Sequence, residues 1–380
     1  MNPLKGTPME KKETKIAVIG AGFAGLATAY YLVKKGADPV TVVEMEKKPG
    51  LGASTQNAAM ICRFDEDAAT SAMCAEGARL LEEEFVPALG PFGFRKTGSI
   101  FTASGVAGDA RLRVMARNAV AGGAIVDSLS RAEALKLFPF LSDSPFESAL
   151  YCNADALVDA RALVDALAAW LAANGVTFLY AAAARVSIQT GSYLIKSASV
   201  ELSAQTVVNA AGAWASDVAR MAGAKPLVFE PMRRHIFVTE DLKWSDPESP
   251  IVWDVTNEIY FRPDGKKLWF SPCDETRHKA GPVETDSAVE KIMRAKIQKF
   301  FPRAAKAEWS DSWAGLRTFS TDRRFVIGQD KLSPGFYWVA GLGGHGVTVS
   351  PAVGRLAASL ILGEKVSLKL SEAFSPARFK

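Results

Sequence analysis

The chain reaches its first strong pattern at Ile16-Ala17-Val18-Ile19, an unbroken apolar run of the kind a strand buried on both faces carries. Helical spacing follows over Ala27–Lys35 with Gly36 placed to end it, and Val40–Val43 is a second buried strand closed by Glu44. The same texture returns later. VDARALVDALAAWLAAN at Val158–Asn174 sets Leu163, Leu167 and Leu171 on one helical face, with Gly175 as terminator. Val176–Tyr180, Thr206–Asn209 and Gly335–Ala340 read as further strands, and Ala215–Ala222 as a helix. The last helix is expected to open with Ser350 as cap and Pro351 in its first turn, and to end at Gly363. Elsewhere Ala68–Phe85 and Arg111–Ala121 have helical spacing, Gly98–Thr102 is a strand, and Ser192–Leu202 alternates like a small antiparallel ribbon. From Pro226 the pattern changes. Arg234–Thr239, Ile251–Asp254, Glu258–Phe261 and Lys267–Phe270 are short alternating or aromatic runs split by Pro and Gly, which predicts an antiparallel sheet, followed by a helix over Asp286–Phe301.

Between the first strand and helix lies Gly20-x-Gly22-x-x-Gly25. The first glycine permits a tight turn, the second lets a pyrophosphate approach the backbone, and the third lets helix and strand pack closely. Free N–H groups at the helix start face the phosphates, and Glu44, at the end of the second strand, is placed to accept hydrogen bonds from an adenosine ribose. Strand, turn, helix, strand and acid in this register predict dinucleotide binding. The small, polar loop Pro49–Ala59 that follows can lie against a flat ligand and offer hydroxyl and amide groups, and Ala210-Ala211-Gly212 is a second place where backbone can pass close to a cofactor.

The fold class is therefore α/β plus α+β, a Rossmann-like domain interleaved with an antiparallel-sheet domain. Residues 14–90, 150–225 and 322–380 are assigned to the dinucleotide-binding domain, 91–149 and 226–321 to the substrate domain, and 1–13 to a flexible leader. Composition narrows the partners. The 380 residues are 48% hydrophobic and 23% charged, with a net charge of +4 and the basic residues dispersed among acids. There is no basic stripe with interleaved aromatics, which argues against nucleic acid. The longest apolar helical run, Ala352–Leu362, is interrupted by Gly354 and Arg355 and falls short of a membrane span. The expected location is cytoplasmic, with peripheral docking on the inner face of a membrane left open. The four cysteines lack metal spacing and are expected to be reduced and structural, and no metal site is expected.

The fingerprint, VVNAAGAWA at 207–215, WAGLR at 313–317 and GLGGHGVTVSPAVGRLAASLI at 341–361 occur in an order that resembles the D-amino-acid-oxidase superfamily of FAD-dependent amine oxidoreductases. Within it the chain is most similar to the bacterial D-arginine dehydrogenase type. The resemblance implies noncovalent FAD. It sets Gly20, Gly22 and Gly25 at the pyrophosphate, Glu44 at the ribose, Ser54 and Thr55 beside the phosphates and flavin edge, and Val186 near the adenine. Ala210, Gly212 and Trp214 would line the cofactor, and Gly343, Gly344, Gly346, Val347 and Thr348 would face the isoalloxazine, with the last helix's positive end aimed at the flavin's pyrimidine side. Arg317 matches the carboxylate-binding arginine, the alternatives being a surface arginine or one paired with Asp311 or Asp322. Tyr260 matches a tyrosine that covers the substrate. Arg233 and Arg234 lie where relatives place a further polar contact. Neighbours on a strand face opposite ways, so one points inward; Arg233 is carried as the candidate with Arg234 open. His345 either contacts substrate or flavin or fills its loop, while His235 is expected to be a satisfied histidine on the sheet.

Two departures bear on specificity. Met60, followed by Ile61, stands where the D-arginine dehydrogenase type has a histidine, and Phe92, Phe94 and Arg95 occupy the region where an acid would select a cationic side chain. Both favour a more apolar amino acid. The resemblance thus implies oxidation of an amino acid, of D configuration with an apolar side chain, to an imine that water hydrolyses to an oxo acid. A glycine, sarcosine or opine-type secondary amine oxidase and a non-catalytic flavin-binding subunit are the alternatives. The electron acceptor, whether quinone, dye or oxygen, carries no recognisable motif.

Overall fold

In the computed structural model, which describes residues 9–197 and 200–379, the first strand runs Glu10–Ile19 and lies at the centre of an eight-stranded sheet. It pairs in parallel with Val40–Val43 on one side and with Val200–Asn209 on the other. Strand Thr177–Leu179 extends the sheet beyond Val40–Val43, and Phe336–Ala340 lies parallel to the end of Val200–Asn209. Its outer members, Arg185–Gln189, Ser192–Lys196 and Val326–Gln329, run antiparallel to their neighbours. The leader is shorter than expected, because residues 10–13 already pair with residues 200–203, whose backbone would otherwise end the ladder unpaired; residues 1–8 lie outside the described residues, as do 198 and 199 of the expected ribbon.

Strand alternation buries both faces of this sheet. Ile16, Val18, Val40 and Val42 pack with Leu26, Leu163, Leu167 and Val353 of helices Phe23–Lys34, Ala160–Ala173 and Gly346–Ile361. Ala17, Ile19, Val43 and Val207 pack with Val218 and Ala219 of the helix Ala215–Met221. This is the three-layer α/β arrangement that the continuous apolar runs imply.

The last helix begins a full turn earlier than the sequence suggested, at Gly346, so Pro351 sits inside it. Pro351 cannot donate to the carbonyl four residues back. The Ser350 hydroxyl donates to that carbonyl, of Val347, at 3.4 Å. Gly354 brings this helix against the first one: a Cβ there would meet the Ala27 carbonyl at 2.5 Å.

The second sheet has nine strands. Strand Phe229–Thr239 pairs antiparallel with Trp309–Ser320 along nearly its whole length, and Lys267–Ser271, Ile259–Asp264, Ile251–Asp254 and Ser99–Ala103 continue outward. One face is filled by Phe237, Val252, Phe261 and Phe270 against Val289, Met293 and Ile297 of the helix Ser287–Phe300, capped by Asp286. The other face turns toward the loops of the first sheet and carries the candidate site. Among the described residues no helix is long and apolar enough to cross a membrane.

Candidate active site

The glycine turn makes a cradle that side chains would fill. Gly20 has φ +107, and a Cβ on it would meet the Ala210 carbonyl oxygen at 2.5 Å. A Cβ on Gly25 would lie 1.9 Å from the Gly20 oxygen. Gly22 occupies the cap position of the first helix, with no side chain to cap it and no acid in the first turn, so the helix start stays open to an anion. Ser54 is drawn to the same end, its hydroxyl accepting the Phe23 N–H at 2.9 Å, whereas the Thr55 hydroxyl donates to the Gly50 carbonyl at 2.7 Å and braces its own loop. Glu44 is buried and reaches back to this turn, accepting the N–H groups of Ala21 at 2.7 Å and Glu46 at 2.9 Å; burial holds its pKa above the usual carboxylate range against those hydrogen bonds.

Ala210 is buried beside Gly20, and its N–H donates to the Ile19 carbonyl at 3.0 Å. Gly212–Trp214 forms a single 3₁₀ turn, Gly212 at φ +53, locked by Asn209, whose amide donates to the Ala215 carbonyl at 2.8 Å. Val186 is buried on the outer ribbon opposite Ile195 and shares a cluster with Val43. These side chains and turns leave glycine backbone, a helix start without a cap of its own and a carboxylate along one line, which fits a dinucleotide.

The loop Gly341–Gly346 bridges to the second sheet. Gly343 and Gly344 have φ +53 and +94, and the Gly343 N–H donates to the Thr318 carbonyl at 3.0 Å. A Cβ on Gly344 would meet the Arg317 Nε at 2.8 Å, so the guanidinium lies directly under this loop. Val347 and Thr348 are buried in the first turn after Gly346, and the Thr348 hydroxyl donates to the Met60 carbonyl at 3.3 Å. From the other side, the polar loop closes on the sheet at Gly315, where a Cβ would meet the Gln56 carbonyl at 2.5 Å.

Strand register decides which arginine accompanies Arg317. Met232 lies opposite Arg317 and Arg234 opposite Gly315, so Arg234 and Arg317 share a face as diagonal neighbours. Arg233 points the other way and pairs with Asp286 at 2.7 Å. The candidate carried from the sequence is thereby corrected to Arg234, since the site face takes the even-numbered residues of this strand. Arg234 is 7% exposed and pairs with Glu275 at 3.0 Å, while its Nε and Nη1 are buried without a partner. Arg317 is half-buried and has no hydrogen-bonding or ion-pair partner among the described residues; Asp322 is taken by Arg378 at 2.7 Å. Burial first, and then the neighbouring Arg234 charge, push the Arg317 pKa below its ordinary value. Two guanidinium groups held side by side, one without a counterion, form a site that an anion would stabilise.

Tyr260 is 1% exposed on the same face, clustered with Ala58, Ile236 and Val238 and packed by Met60, Trp253, Trp269, Trp313 and Cys273. The Arg262 guanidinium stacks 3.6 Å from the Trp269 ring centroid. Burial raises the Cys273 thiol to about 11, so it stays a neutral wall residue at pH 7. His345 leads into the last helix and turns to Asp65, 3.1 Å from its Nε2; burial opposes ionisation of Asp65, but this contact carries its pKa below the usual carboxylate range. Nε2 is thus committed to Asp65, while Nδ1 is buried without a partner among the described residues. His235 is fully buried, accepts the Asp286 N–H at 3.0 Å on Nε2 and contacts Asp274 at 2.7 Å through Nδ1, the satisfied histidine expected from its strand.

The structure therefore gathers Arg317, Tyr260 and Met60 on one face and leaves Arg233 off it. Gln56 and the three tryptophans were not singled out by the sequence reading, and Arg234 was left open beside Arg233. Strand alternation across the Phe229–Thr239 pair could have found Arg234, had the register to Trp309–Ser320 been known.

A nucleotide cradle facing a sheet that carries a free guanidinium is the arrangement of flavin-dependent oxidoreductases, and comparison with known proteins agrees. The profile described as FAD dependent oxidoreductase (DAO) matches residues 15–360, and the chain belongs to that family; its cofactor is FAD. It is 25% identical over 414 residues to the bovine (Bos taurus) FAD-dependent oxidoreductase domain-containing protein 1, covering 95% of this chain and 84% of the relative. It is 24% identical over 369 residues to glycine oxidase of Geobacillus kaustophilus, covering 94% and 95%. Among solved structures, L-proline dehydrogenase from P. horikoshii superposes with a TM-score of 0.89 at 23% identity, covering 97% of this chain and 98% of the other.

Proposed function

We propose that this FAD-dependent amine oxidoreductase oxidises the Cα–N bond of an amino acid, the chain's 14–90, 150–225 and 322–380 segments holding noncovalent FAD and 91–149 and 226–321 holding substrate. The supporting observation is Arg317, a guanidinium without a protein counterion directly beneath the Gly344 turn. In this reading Arg317 binds the substrate carboxylate with Arg234 beside it, Tyr260 and Met60 close the pocket, and Gln56 seals the join between loop and sheet. FAD, when bound, would supply the hydride acceptor; as the hydride leaves Cα the amine's lone pair forms the C=N bond and the N–H proton is released, and water hydrolyses the imine to an oxo acid and ammonia or an amine. The residues named supply orientation and exclude water, and none acts as a nucleophile.

Glycine and proline, named for two similar proteins, are a primary and a secondary amine, and both remain within the proposal. The D configuration and the likeness to the D-arginine dehydrogenase type rest on the resemblance in the motifs. The aromatic walls around Met60 favour a carbon chain without positive charge. Purified protein is expected to be yellow and to bleach anaerobically with a subset of D- and L-amino acids and N-alkyl glycines; oxygen uptake with peroxide release would then separate oxidase from dehydrogenase. A yellow protein that no amine bleaches would overturn amine oxidation.

Toward the cofactor, Gly20, Gly22 and Gly25 would take the pyrophosphate, Glu44 the ribose, Ser54 the phosphates, and Gly343 to Thr348 the flavin ring. Glu44→Gln is expected to weaken FAD by about 1–2 kcal/mol, roughly tenfold, through loss of a charge-assisted acceptor. Fluorescence titration of released flavin measures it, and an unchanged dissociation constant removes Glu44 from the ribose.

A further inference from the structure

The buried polar atoms left unpartnered on the site face of the second sheet are all donors. They are Arg234 Nε and Nη1 and the indole N–H groups of Trp253, Trp269 and Trp313, with Arg262 Nε at the far edge. Arg317 adds a whole uncommitted guanidinium fork. One carboxylate offers about four lone-pair positions, and a bidentate arginine pairing uses two of them. With Arg317 on two of them, the two that remain fall short of the two Arg234 nitrogens and three indole N–H groups together, which calls for further acceptor oxygens.

Charge points the same way. Glu275 is the carboxylate that pairs with Arg234, and it is shared with Arg323, whose Nη2 lies 2.9 Å from both of its oxygens. Arg234 and Arg323 therefore share one paired carboxylate, and Arg317 stands beside Arg234 with no ion-pair partner among the described residues. Trp313 stands opposite Ile236, next along the face from Arg234, and packs edge-on with Trp269 at 4.8 Å, so indole donors share the face with both guanidinium groups. The surfaces between them are aromatic rings and Met60, suited to the carbon chain that joins two acidic groups.

We infer that the substrate is an amino or imino acid bearing two carboxylates, the first on Arg317 and the second on Arg234 with the neighbouring indole donors. This deepens the amine-oxidation reading and rests on it for the reaction, although the binding argument stands on the donor inventory alone.

The test separates binding from turnover. Thiodiacetate and (methylthio)acetate carry two carboxylates and one, with sulfur in place of an oxidisable amine. Titrated by calorimetry into the FAD-loaded protein, the dicarboxylate is expected to bind at least about thirtyfold more tightly, the size of a desolvated charge pair. Arg234→Gln should collapse that ratio to below about threefold, whereas Arg317→Ala should weaken both ligands. Should Arg234→Gln fail to fold, Arg234→Lys, which keeps the charge and loses the planar fork, should lower the ratio, and the ratio in the unaltered protein is decisive by itself. Equal affinity for the two thioethers would overturn the second-carboxylate assignment and leave amine oxidation standing. Tight dicarboxylate binding with no bleaching by iminodiacetate, aspartate, glutamate or any monocarboxylic amine would support the assignment and overturn amine oxidation. Turnover of iminodiacetate at tenfold or more the kcat/KM of N-ethylglycine would support both.

Discussion

Arg317→Ala is expected to lower kcat/KM for the amino-acid substrate by between about thirtyfold and several thousandfold, equivalent to about 2–5 kcal/mol for a desolvated carboxylate pair, while FAD stays bound. Cofactor retention follows from position: the side chain lies under Gly344 on the substrate sheet, away from the glycine turn and Glu44. The fold should also survive. Among the described residues no carboxylate pairs with Arg317, so its removal strands none of them and relieves repulsion on Arg234. This separates it from an ordinary ion-paired arginine, whose loss would strand a charge. Steady-state kinetics with the flavin spectrum as control measure the effect, and kinetics unchanged from the parent would remove Arg317 from the site.

Gly354→Val is expected to cost about 3 kcal/mol or more of stability, at the upper end of overpacking effects. The atoms it would strike are the backbone carbon and oxygen of Ala27, at 2.5 Å, and the Thr28 nitrogen at 2.8 Å. Side chains can swing aside; a helix backbone can yield only by moving the helix. The two helices concerned both start at the proposed cofactor line, Phe23–Lys34 at the glycine turn and Gly346–Ile361 after the Gly344 loop. Their separation should therefore weaken FAD as well as stability. Urea unfolding of FAD-loaded and flavin-stripped protein reads both, and a midpoint equal to the parent's in each would refute the close-crossing argument.

Much of the first sheet was legible because its determinants are local. Ile16–Ile19, Gly20 to Gly25 and Val40–Glu44 state strand, turn, helix and strand within one stretch, and continuous apolar runs report burial on both sides. The antiparallel texture after Pro226 was likewise readable from alternation. What escaped were features set by contacts between distant segments. Choosing Arg234 over Arg233 required the register between residues 229–239 and 309–320. The start of the last helix at Gly346 was hidden because Pro351 reads as a first-turn residue, and only the rescue of the Val347 carbonyl by Ser350 shows how it is tolerated deeper. The tryptophans looked like core aromatics; their unpaired N–H groups emerge only when the whole face is assembled. Gly354 looked like an interruption of an apolar helix and is instead the point where two helices touch.

The centre of the first sheet draws its adjacent strands from residues 10–19, 200–209 and 336–340. A nascent polypeptide leaving the ribosome can therefore complete neither that sheet nor the nucleotide cleft until residues 336–340 have emerged to join a sheet whose first strand was laid down more than three hundred residues earlier. Loop-closure entropy over such separations makes assembly slow.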